Sequence, residues 1–105
     1  MRPVEQRTEH TMDRPRVTIT EEGRSGTVSY EEGAQRISGW WEFAGGDAIA
    51  IVSMGDEASW QRLHPWAAER RAEILGVVAD QVVRQKASGS RADIDEEGGW
   101  ITIRH

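Results

Sequence analysis

Three times the chain sets two glutamates ahead of a glycine, in TEEGR (20–24), YEEGA (30–34) and DEEGG (95–99). Carboxylate oxygens are ligands for hard cations, so Glu21, Glu22, Glu31, Glu32, Glu96 and Glu97 could form a metal site if three separate segments converged. Their setting points elsewhere. Each EEG lies between two runs of strand character, where glycine supplies the backbone freedom of a tight turn and glutamate keeps the loop in water. The reading is turn chemistry, with no metal.

Asp93 and Asp95, two apart on one run, would share a strand face with one another and with Glu42 on another strand. Paired carboxylates can divide acid and base roles in glycoside hydrolysis when spacing and burial allow. Nothing in the pattern supplies a positioned nucleophile or a buried base. His64 has no second histidine at ligand spacing and precedes Pro65, which makes it a helix-boundary residue. Ser25 in GRSG lacks the spacing and the strand-to-helix setting of a nucleophile elbow. No phosphate-binding or dinucleotide glycine pattern occurs, so no cofactor is expected.

The composition narrows the classes further. Among 105 residues, 13 basic and 18 acidic side chains give a net charge of −5, which repels phosphate backbones and anionic membranes. The chain has a single lysine, Lys86, and no basic stripe, which argues against nucleic acid. Without cysteine there is no disulfide, thiolate nucleophile or cysteine-held zinc. We expect a soluble, cytoplasmic protein of bacterial type. Residues 1–15 are polar and broken by two prolines, read as a flexible tail in which Met12 is an alternative start, and residues 16–105 form one domain.

The elements that must position these residues follow from periodicity. Alternation over 17–20, 27–30, 35–43, 48–53, 92–95 and 100–104 gives six strands, arranged as hairpins. Between the fourth and fifth runs, a short helix begun by Asp56 or Ser53 precedes a long one from Pro65 to Ala87, with the break at His64. The fold expected is α+β: an antiparallel sheet of about six strands (ββββ-αα-ββ) with the long helix packed on one face.

On the long helix Ala68, Ala72, Leu75, Ala79, Val82 and Val83 form the stripe assigned to the sheet, widened by Ala67, Ile74, Val77 and Val78 to an arc of roughly 240°. That width requires a second cover, either the short helix with Trp60 and Leu63 or a second subunit. Trp66 and Val77 therefore form a second candidate patch. Arg71 falls within the apolar stripe, where an ion pair is expected.

Alternation assigns Val17, Ile19, Val28, Tyr30, Ile37, Trp41, Phe43, Ile49, Ile51, Ile94, Ile101 and Ile103 to the core face. The outer face receives Trp40, Trp100, Arg36, Glu42, Ala50, Val52, Asp93, Asp95 and Arg104. Adjacent tryptophans in GWWEF must point oppositely on a regular strand. An apolar patch with a polar rim suits an interface, so the expected function is non-catalytic protein interaction or homodimerisation through Trp40, Trp100, Arg36, Glu42, Val52 and Arg104. The alternative is a small-ligand protein or enzyme whose tryptophans stack a sugar or aromatic ring beside those carboxylates.

Overall fold

Six glycine residues hold positive φ, and three of them close the EEG segments: Gly23 at 76°, Gly33 at 60° and Gly99 at 79°. L side chains rarely adopt that geometry, so the glutamates end in turns because glycine follows them. The computed structural model describes residues 14–105. The tail and Met12 assignments fall, up to residue 13, outside the described residues.

The strands are β1 (Arg16–Ile19), β2 (Ser25–Glu32), β3 (Gln35–Phe43), β4 (Ala48–Ser53), β5 (Arg91–Asp95) and β6 (Trp100–Arg104). All pair antiparallel, in the order β1-β2-β3-β4-β6-β5. The last hairpin thus docks through β6, leaving β5 at the edge. Between β4 and β5 run α1 (Glu57–Leu63), a 3-10 segment (Pro65–Arg70) and α2 (Arg71–Lys86). The long helical stretch begins at Pro65 as expected, but its first six residues are wound more tightly than an α-helix.

Asp56 caps α1 by accepting from the Ser59 N–H at 2.8 Å, and that bond holds its carboxyl below the usual range. Trp60 is buried and its indole N–H donates to the Ala67 carbonyl at 2.9 Å, tying α1 to the 3-10 segment. His64 ends α1 with its N–H on the Trp60 carbonyl, at the residue where Pro65 disfavours helical geometry.

Ile74, Leu75, Val78, Ala79 and Val82 are the buried apolar residues of α2. The stripe is therefore rotated from the expected one: Ala72 is exposed and Val83 only half-buried. Ile74 and Val78 remove more apolar area from water than Ala68 and Ala72, and the helix turns toward them. Val77, on that flank, stays half-buried.

Two corrections arise on the sheet. Val52, assigned to the outer face, is fully buried, and it lies beside Trp41 and Ile101 in register. A bulge between Ala48 and Ala50 shifts the β4–β6 pairing by one residue, so alternation reverses beyond it. Ala50 and Val52 consequently join the core face, and Ile51 stands opposite Glu42 and Thr102 on the outer face. Phe43 and Ile94 have the expected side but are 46% and 43% exposed, since they lie at a strand end and on an edge strand.

Arg71 is buried without a carboxylate partner among the described residues. Its guanidinium lies 5.0 Å from the Trp60 ring and donates to the carbonyls of Gly55 at 3.0 Å and Glu96 at 2.9 Å. The third EEG turn directs backbone carbonyls inward and its carboxylates into water, so carbonyl oxygens replace the expected ion pair. Gly99 completes this corner: a Cβ there would stand 2.0 Å from the Gly55 carbonyl oxygen.

Candidate functional site

Trp41 and Trp40 follow one another on β3 and separate across the sheet. Trp41 is buried, its indole N–H on the Thr20 carbonyl at 2.8 Å. Trp40 is 42% exposed on the other face, and no bulge interrupts β3 there. Trp100, 41% exposed, enters the same face from β6. Ser53 of β4 stands in register between the two, small enough to let the rings meet over it. Their centroids are 5.9 Å apart with planes at 83°, the edge-to-face arrangement that aromatic quadrupoles favour. Gly98 fits under the Trp100 ring, where a Cβ would come within 2.7 Å of Cδ1.

Beside Trp40 the β4–α1 connection leaves a depression of about 200 Å³, bordered by Ser38, Ser53, Ser59, Leu63 and His64. Leu63 is 62% exposed at the end of α1, extending the apolar surface beyond the sheet. Partial burial pushes the His64 imidazole down from its ordinary value, keeping it neutral at physiological pH. Ser38, Ser53 and Leu63 were not picked out from the sequence as site residues. Alternation alone places Ser38 on the outer face, but the others depend on how β4 leaves the sheet.

Charged groups ring this surface in cross-strand rows. Arg36 pairs with Glu31 at 2.5 Å, and Arg16 reaches the same carboxylate at 3.5 Å. The bond from Arg36 holds the Glu31 carboxyl below its usual range. At the opposite end Arg104 bridges Asp93 at 2.6 Å and Asp47 at 3.3 Å. Glu42 carries no ion pair among the described residues. The structure thus brings Trp40 and Trp100 together, sets Arg36, Glu42 and Arg104 around them, and withdraws Val52 into the core.

The second candidate patch is only partly open. Trp66 and Val77 are half-buried and pack against the edge of the core. Of the outer-face carboxylates, Glu42 stands apart from the other two. Glu42, Ile51, Thr102 and Asp93 lie in one row across four strands, which puts Glu42 about 14 Å from Asp93. Glycosidase carboxyl pairs stand about 5–9.5 Å apart. Asp95 is engaged locally, accepting from the Gly98 N–H at 3.3 Å.

The EEG glutamates work separately. Glu21 pairs with Lys86 at 2.6 Å, and Glu32 accepts from the Tyr30 hydroxyl at 2.7 Å and from Arg70 at 2.9 Å. Arg70 also holds Glu73, and it lowers the pKa of both carboxyls, with Tyr30 adding to the effect on Glu32. Among the described residues no group of three acidic or histidine side chains is placed to hold a metal ion. The Glu32–Arg70 contact spans 38 residues of chain and left no signal in the sequence.

No family model, curated protein or solved structure matches this chain.

Proposed function

We propose that the protein is a non-catalytic interaction module that pairs with a second copy of itself through the outer face of the sheet. The observation that carries this reading is the Trp40–Trp100 pair, two indoles left about two-fifths exposed and in mutual contact on the face opposite the core. Exposed aromatic area with a polar rim matches the centre and border of protein interfaces.

Charge favours a second copy. Arg36 and Glu42 lie on the same strand and face, six residues apart, with Ser38 and Trp40 between them. A two-fold axis crossing β3 between those two residues sets Arg36 of each copy over Glu42 of the other. Opposed sheets can then pack with strands nearly aligned.

Sedimentation equilibrium across micromolar to millimolar concentration tests the reading. A dimer is expected, converted to monomer by Trp40→Asp or Trp100→Asp. A chain that stays monomeric throughout, or a dimer indifferent to both substitutions, rejects self-association through this face.

A second reading rests on the depression beside Trp40, where serine hydroxyls and one aromatic face could receive a sugar ring. Saturation-transfer NMR with simple saccharides decides it: enhanced signals lost in Trp40→Ala support stacking, and none at millimolar sugar excludes it. The separation of Glu42 from Asp93 speaks against hydrolysis.

A further inference from the structure

On the opposite face α2 ends at Lys86, before the far end of β3 and β4 is covered. The bulge at Ala48–Ala50 turns both Ile49 and Ala50 toward the gap so created. What remains is a cavity of about 140 Å³, floored by Val28, Val52 and Ile103 and walled by Trp41, Phe43 and Val82. Its floor is fully buried, while Phe43 stands half-open at one side. The volume is close to that of an engineered apolar cavity of about 150 Å³ that accepts benzene.

Glu21 and Lys86 also line this cavity, and they form a 2.6 Å ion pair with both side chains about half exposed. An anion alone would take Lys86 at the cost of leaving Glu21 unpaired, and a cation alone would do the reverse. A zwitterion satisfies both.

We propose that this cavity is a binding site for a free apolar α-amino acid of leucine or phenylalanine size. The side chain fills the space beside Trp41, the carboxylate meets Lys86 Nζ and the ammonium meets Glu21. This site is separate from the Trp40–Trp100 surface, so neither depends on the other.

The test is titration of the full chain with L-leucine and L-phenylalanine, read by amide and indole N–H resonances. Shifts are expected at the Trp41 indole and at the Ala50, Val82 and Ala87 amides, with the Trp100 indole unmoved. N-acetyl-L-leucine and L-leucinamide, each lacking one charge, should bind about tenfold more weakly, as should leucine to Glu21→Gln or Lys86→Gln. Ala50→Leu, which fills the cavity, should abolish the shifts without lowering the melting temperature. Absence of shifts at 10 mM of either amino acid, on the order of 10,000-fold above a micromolar constant, overturns the proposal. Equal affinity for leucine and leucinamide, or binding unchanged in both charge variants, overturns it as well.

Discussion

The two faces of the sheet are held by different forces, and β3 shows the division within two residues. Trp41 is buried among Val28, Val52 and Ile103 on the cavity side, and burial of that apolar area stabilises the fold. Trp40 faces the other way, where cross-strand pairs such as Arg36–Glu31 and Arg104–Asp93 form a half-wet surface. Exposed ion pairs each contribute roughly 0–1 kcal/mol. The inner face therefore carries the stability, and the ion pairs of the outer face add little to it.

The largest expected effect tests the inner core at its largest fully buried side chain. Trp60→Ala removes an indole that is 1% exposed and its bond to Ala67. Such truncations cost about 3–5 kcal/mol, a large part of a small domain's stability. Urea denaturation should show the midpoint fall or the native baseline disappear; a shift below about 1 kcal/mol would break the assignment of stability to this face.

Arg71→Met should follow, at about 2–3 kcal/mol, because the carbonyls of Gly55 and Glu96 lose a charged donor. Amide hydrogen exchange at Gly98 and Gly99 should quicken in parallel. Protection unchanged there would show that the third turn holds itself.

A pH series sharpens the comparison at the β2–α2 rim. Burial, with help from the Glu32 hydrogen bond, pushes the Tyr30 phenol up to about 12. Its ordinary value is about 10, so the folded state keeps a proton that the unfolded chain releases. That contribution is complete below pH 10 and is lost as pH rises toward 12. Tyr30→Phe should remove this alkaline slope. Glu32 runs the other way: Arg70 lowers its pKa, so its contribution is present above about pH 4.5 and lost as pH falls through the depressed folded value. Glu32→Gln should flatten the acid limb in a denaturation series, and an unchanged limb would remove Glu32 from the account.

The smallest effect belongs to the outer face. Trp40→Thr should change monomer stability by less than about 1 kcal/mol, whereas Trp41→Thr, one residue away, should cost about 3 kcal/mol or more. Similar losses in thermal melts would show that the two faces are not energetically distinct.

The opposed placement of Trp40 and Trp41 was legible in GWWEF because a regular strand alternates without exception. The β4 assignments failed for the complementary reason. An extra residue at the bulge reverses alternation, and AIAIVS is apolar enough that either parity reads well. Arg71 could be recognised as anomalous within an apolar stripe, but its carbonyl partners lie 16 residues before it and 25 after it. Of the outer site, the two indoles and their charged rim were readable; their contact depends on β6 docking beside β4.

Local physical chemistry wrote the EEG turns, the cap at Asp56, the break at Pro65 and the succession of strands and helices into the sequence, since each depends on neighbours a few residues away. Tertiary structure decided the strand order, the rotation of α2, the cavity behind the bulge and the meeting of Trp40 with Trp100. Those features arise from competition among distant apolar surfaces for burial, and no local pattern records which surface wins.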